Sequence, residues 1–195
     1  MRRLAIMTVI AGTLLAGCGA NPAVSPSLMP SGVSSLSRQA TAQPLDQASY
    51  KKGIAAGLAK LQSKSKAPGQ AIGSPAGVDP SSYAVGYSYG LIQGSLNSYN
   101  RISGSFDAAE WRSFADMVFG AMQDAQRSLK ANPQVASRYG LTIGILTGGI
   151  QSYASLSGSF NSEQWKSFAE SNRRVLEQAL QSMQQQQDPS VPTGR

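Results

Sequence analysis

The chain of 195 residues contains no histidine and one cysteine. Without histidine it lacks the commonest general base and the commonest transition-metal ligand. A lone cysteine excludes an internal disulfide framework. Charged residues make up only 14% of the chain. No phosphate-binding loop stands in the sequence. Paired carboxylates are the remaining route to acid–base chemistry, as in a glycosidase. The candidates are Glu110, Asp116, Asp124, Glu163, Glu170 and Glu177. Glu163, Glu170 and Glu177 recur every seven residues, the pattern of a solvated helix face, and Glu110 suits a capping position. The sequence therefore points to no catalytic residues, no metal site, no cofactor and a non-enzymatic role.

The one cysteine has a distinctive setting. Arg2 and Arg3 precede an uncharged, mostly apolar run from Leu4 to Gly17. That run has the length of a signal-peptide core and is short for a bilayer span. It closes on Leu15-Ala16-Gly17-Cys18. Here the chain resembles bacterial lipoprotein precursors, whose lipobox reads Leu, a small residue, Gly or Ala, then Cys. The resemblance implies that signal peptidase II recognises Leu15, Ala16 and Gly17 and cleaves before Cys18. It implies a diacylglyceryl group on the Cys18 thiol and an acyl chain, such as palmitate, on the new amino group. Several acyl chains anchor far more firmly than one, since each buried CH₂ contributes about 0.8 kcal/mol. Gly19 stands where an aspartate commonly retains such proteins at the inner membrane. In an organism with two membranes, the resemblance thus implies the outer membrane, facing the periplasm.

Residues 19–44 are rich in Ser, Pro and Ala and read, with Cys18, as a flexible tether. The net charge of +7 is uneven. Residues 38–66 hold Arg38, Lys51, Lys52, Lys60, Lys64 and Lys66 against Asp46, whereas residues 67–195 are balanced. Tyr50, Ile54, Leu58 and Leu61 recur at helical spacing, predicting a basic amphipathic helix over 45–64 with Asp46 as N-cap. Gly53 and Gly57 weaken it by about 1 kcal/mol each. Two arrangements fit. The stripe can pack on the main domain with its lysines in solvent. Alternatively, Lys51, Lys52, Lys60, Lys64 and Lys66 can lie on anionic lipid beside the anchor. Nucleic acid is excluded as a partner: export removes the chain from it, and no aromatics are interleaved with base-reading groups.

A Pro/Gly linker over 65–80 leads into a repeat. SGSFDAAEWRSFA, residues 103–115, returns as SGSFNSEQWKSFA, residues 157–169. Gly86, Gly90, Gly94, Tyr99, Phe106, Trp111 and Phe114 recur 54 positions later as Gly140, Gly144, Gly148, Tyr153, Phe160, Trp165 and Phe168. The constant offset marks a tandem duplication of one α-hairpin over 81–186. The expected fold is all-α: a four-helix bundle from two hairpins, plus the N-terminal amphipathic helix, with a disordered tail over 187–195.

Each unit starts with a nearly uncharged helix bearing Gly at every fourth position, which leaves a smooth groove on one face. The spacing is similar to that of glycine-zipper lipoproteins, and it allows close backbone approach as in membrane helix pairs. Membrane insertion is one reading; burial of both Gly-rich helices at the bundle centre, flanked by the Trp helices, accounts for the missing charge more simply. Beside these glycines, Tyr99 and Tyr153 either line a slot for an acyl group, peptide or glycan or pack the bundle. The second half of each unit opens with Ser-Gly-Ser, where a left-handed Gly would end the preceding helix. A capping box (Asp107 with Glu110, Asn161 with Gln164) and a Phe–Trp hydrophobic staple then start the next one. The repeat places Trp111 and Trp165 in equivalent core positions. The function indicated is a lipid-anchored envelope protein serving as scaffold, adaptor or binding module. The alternatives are an amphiphile- or glycan-binding lipoprotein and a membrane-inserting glycine-zipper assembly. Its partners would be the membrane, an anionic lipid or envelope glycan, or another protein.

Overall fold

A computed structural model describes residues 44–63, 73–156 and 160–187. Leu15 to Cys18, the tether, Lys64, Lys66 and the tail from 188 lie outside the described residues. Among those described, the protein is all-helical. The helices are α1 (Gln47–Gln62), α2 (Pro80–Ile102), α3 (Ala108–Lys130), α4 (Pro133–Arg138), α5 (Gly140–Ala154) and α6 (Ser162–Gln187).

The starts of α1 and α2 are built as a reciprocal pair. Asp46 and Asp79 are N-caps, each accepting from the backbone N–H three residues on, at Ser49 and Ser82. Those serines then cap across rather than along. Ser82 Oγ accepts from the Asp46 N–H and Ser49 Oγ from the Asp79 N–H, both at 2.8 Å. In a capping box the third helical residue satisfies its own N-cap N–H; here each does so for its neighbour. The Ser49 hydrogen bonds hold the Asp46 carboxyl below its usual range. Crossed caps of this kind require the two N-termini to lie side by side, so α1 and α2 run parallel.

Below the caps the two backbones touch. A Cβ at Gly53 would fall on the carbonyl oxygen of Tyr83, and one at Gly57 on that of Tyr87. From the other side, Cβ atoms at Gly86 and Gly90 would fall on the carbonyl oxygens of Tyr50 and Ile54. Gly94 receives the side chains of Leu58 and Leu61. The groove predicted along Gly86, Gly90 and Gly94 is therefore filled by α1. Gly53 and Gly57, a weakness when α1 is considered alone, are the residues by which it docks. The stripe of Tyr50, Ile54, Leu58 and Leu61 is half-buried along this seam, while Lys51 and Lys52 are exposed and Lys60 is partly covered.

The arrangement of the bundle differs from the sequence expectation. The Trp helices α3 and α6 pack on each other across the centre. The Gly-rich helices α2 and α5 stand at opposite corners, each touching both α3 and α6. The reason is side-chain volume. Ala115, Val118, Met122, Ala125 and Leu129 of α3, with Ala169, Leu176, Ala179 and Met183 of α6, are fully buried. A glycine face carries too little apolar surface to organise a core. Nevertheless α2 is buried on both sides, because α1 covers its outer face: Val85, Tyr87, Leu91 and Ile92 are all at most 2% exposed. In the second unit Asn132, capping Gln134 and Val135, and Pro133 start the short α4, and the chain leaves helical geometry at Tyr139 before α5. Asn172, which stands 54 positions after Val118, is 1% exposed, and its Nδ2 has no partner. Such a group costs about 1–3 kcal/mol, and nothing in the packing explains its presence.

The seam makes a direct prediction. Gly86→Ala and Gly90→Ala force a methyl onto backbone that cannot yield, and each should lower unfolding stability in urea by about 2–3 kcal/mol. Gly120→Ala in α3, where a Cβ meets nothing within 4 Å, should instead raise it by about 0.5–1 kcal/mol.

Candidate functional site

The two hairpin joints share a sequence but not an environment. In the first, Trp111 is wholly buried and its Nε1 donates to the Ser105 carbonyl at 3.0 Å. Its ring packs near Tyr99, with centroids 5.9 Å apart. The expected staple does not form, since Phe106 is 93% exposed: the interior takes the tryptophan and leaves the phenylalanine in solvent. Asp107 caps Ala109 N–H, while Glu110 accepts from the Ser105 hydroxyl instead of the N-cap N–H. Nor does Gly104 end α2 in a left-handed conformation; only Gly77 has a positive φ among the described residues. In the second joint the full capping box forms, with Asn161 and Gln164 each accepting from the other's backbone N–H. Phe160 and Trp165 pack there with centroids 5.1 Å apart.

This second joint opens onto a cleft of about 510 Å³. Phe119, Tyr153, Ala154, Leu156, Phe160 and Trp165 form its apolar wall, and Arg112 provides its charge. Phe119 and Tyr153 stack at 4.3 Å, and Phe168 packs behind Tyr153 and Trp165 at 5.9 and 6.2 Å. The Tyr153 hydroxyl donates to Asp116, one turn beyond Arg112. Burial and that carboxylate push the Tyr153 hydroxyl up to about 12.

Each tyrosine is covered by the opposite unit. The Arg173 guanidinium lies 5.3 Å from the centroid of the Tyr99 ring. Phe119, 54 positions before Arg173, covers Tyr153. A ring thus stands over Tyr153 where a cation stands over Tyr99. Tyr99 and Trp111 are sealed, whereas Tyr153 and Trp165 are half-buried and line open space. Of the candidate groove residues, Tyr153 alone contributes to this cleft. Phe119, Phe160 and Arg112 complete it from α3 and the joint, and no sequence pattern singles out Phe119 or Arg112.

The other candidates stand apart from it. Gly140, Gly144 and Gly148 lie on an exposed face of α5 where a Cβ would meet nothing within 4 Å. Gly149 is the glycine that packs, against Met122 and Val175. Gly86-Tyr87-Ser88-Tyr89-Gly90 has the Gly-x-Ser-x-Gly spacing of a hydrolase nucleophile elbow, which needs a strained strand-to-helix turn. Ser88 instead lies inside a continuous helix, is fully buried, and donates to the Ala84 or Ala125 carbonyl. Among the described residues no acidic cluster suited to a metal is present, and no helix is long and apolar enough to cross a membrane. No protein family, curated protein or solved structure matches the chain.

The difference between the two tryptophans is measurable. Trp111→Ala should cost about 3–5 kcal/mol in chemical denaturation. Trp165→Ala should cost about 1–2 kcal/mol, because part of its surface is already in water. Tyrosine burial also sets a pH window. An unfolded tyrosine ionises near 10, while Tyr139 and Tyr153 keep their protons to about 12 in the fold. Their contribution is therefore complete below pH 10 and is lost as pH rises through 12. The decline in unfolding stability over that window should be shallower in Tyr153→Phe.

Proposed function

We propose that the chain is a lipid-anchored cell-envelope protein with a non-catalytic binding role. Its ligand is an amphiphile whose apolar part enters the Phe119–Tyr153–Trp165 cleft and whose anionic head meets Arg112. The observation that carries this reading is the asymmetry of the joints: one aromatic cluster is sealed as core and its sequence counterpart is left open and apolar. Open aromatic surface of this kind raises the free energy of the unbound protein and is characteristic of a binding site. The chemistry of the wall favours an amphiphile over a glycan. Six of its seven lining residues carry aromatic, aliphatic or methyl side chains that suit an acyl chain, and the Arg112 guanidinium suits an anionic head.

Support for the anchor comes from the Leu15-Ala16-Gly17-Cys18 motif and the Pro/Ser-rich segment after it. Acyl chains on Cys18 would hold the protein at the outer membrane, and the tether would let the cleft reach ligands along that surface. Lys51 and Lys52, exposed on α1, would favour an anionic membrane surface.

Two measurements test the two halves of this reading. The mass of the mature N-terminus should correspond to an acylated Cys18, and Cys18→Ser should release the protein or leave the precursor uncut; an unmodified mature Cys18 refutes the anchor. Titration with lysophosphatidylglycerol below its micellar concentration should change Trp165 fluorescence saturably. Arg112→Gln should weaken that binding on the order of tenfold. An unaltered titration in Trp165→Ala would show that the lipid binds elsewhere.

A further inference from the structure

The repeat also exposes a vacancy on the opposite side of the second unit. Positions 85, 88, 92 and 95 of α2 and positions 139, 142, 146 and 149 of the second unit all face the core and are buried. The other face, at 86, 90 and 94 with 87 and 91, corresponds to 140, 144 and 148 with 141 and 145. On α2 that face is covered by α1, leaving Tyr87 2% and Leu91 0% exposed. On α5 it is bare: Gly140, Gly144 and Gly148 are exposed, Leu141 is 63% exposed and Ile145 is only partly covered. The same spacing of glycines that accepts a helix in one unit thus has no helix in the other. This α5 face is separate from the aromatic cleft and does not depend on the function proposed for it.

What can occupy the face is narrowly constrained. At Gly86 and Gly90 the α1–α2 seam is met by a helix that itself presents glycines four apart, so that backbone meets backbone, and at Gly94 by leucine side chains. Within the chain, Gly53 and Gly57 are committed to Gly86 and Gly90. Gly69, Gly73 and Gly77 share the spacing but straddle Pro75, and Gly77 has a φ of 77°. The remaining helical Gly-x-x-x-Gly belongs to α5 itself. Charge points the same way. Residues 139–161 carry no charge in a chain of net charge +7. The shallow groove beside α5 is formed by Leu141, Ile145, Gln178, Gln181, Ser182 and Gln185, all uncharged. Two like-charged copies can approach here without placing cation on cation, whereas an anionic surface finds nothing to hold it.

We infer that α5 is a homodimer interface in which Gly144 of one copy meets Gly144 of another across a two-fold axis. The paired glycines bring the backbones into contact, and Leu141 and Ile145 of each copy cover the other. A symmetric contact of this kind closes on itself and does not propagate.

Engineered cysteines in the otherwise unchanged full chain test the contact. Ile145→Cys, beside the paired glycines and only partly covered, should give a disulfide-linked dimer under mild oxidation in cell envelopes, well above the level from the parental chain with Cys18 alone. Ser113→Cys, on the exposed side of α3, should not. In sedimentation velocity of the purified full chain, Gly144→Leu should convert dimer to monomer with unchanged helical circular dichroism, since a side chain there meets nothing within its own fold. The inference fails if Ile145→Cys and Ser113→Cys cross-link equally, or if Ile145→Cys links to a different protein. It also fails if the parental chain is monomeric, or if its dimer survives Gly144→Leu.

Discussion

Backbone contact between α1 and α2 is the constraint on which the first half of the molecule is organised. Four glycines, Gly53, Gly57, Gly86 and Gly90, remove the side-chain layer that normally separates packed helices. The crossed caps of Asp46, Ser49, Asp79 and Ser82 fix the two helices in register at their starts. With both features present α1 can sit on α2 in one register only, since a shift of one residue would drive side chains into carbonyl oxygens. The helix covered in this way then turns its other face, Val85, Ser88 and Ile92, into the bundle. Gly residues that weaken an isolated helix thus stabilise a pair.

From this follows the inequality of the two units. Their core faces match closely: Ala115 and Ala169, Met122 and Leu176, Ala125 and Ala179, and Leu129 and Met183 are all fully buried. What differs is the company each unit keeps. One glycine face has a partner and the other does not; one tryptophan is sealed and the other borders an open cleft. The places where positions 54 apart differ in environment therefore supply the candidate binding surfaces. Phe119 in place of a cation over Tyr153, and the absence of a second α1, are the two departures with the largest consequences.

The aromatic cleft and the α5 face lie on different features of the second unit, one at the joint before α6 and the other along α5. An amphiphile in the cleft and a second copy on α5 would not compete for the same residues. A dimer of this kind would present two clefts, which raises the effective concentration of one site for a ligand released by the other.

Local chemistry in the sequence determined a good deal. Cap residues, the Pro/Gly breaks and the apolar stripes of α3 and α6 report on interactions within a few turns of chain, so α1, α2, α3 and α6 were legible, while the short α4 and the break at Tyr139 were not. Nor was the packing order. Spacing shows that a helix has a glycine face but not what lies against it, and only the fold seats α1 on α2 while leaving α5 bare. Likewise Trp111 and Trp165 have the same neighbours in sequence and different neighbours in space. Phe106 reads as half of a staple until the interior takes its tryptophan. The cleft depends on Phe119 and Arg112, which lie more than thirty positions from Tyr153 along the chain. Burial is decided by the sum of long-range contacts, and that sum exists only once the helices are packed.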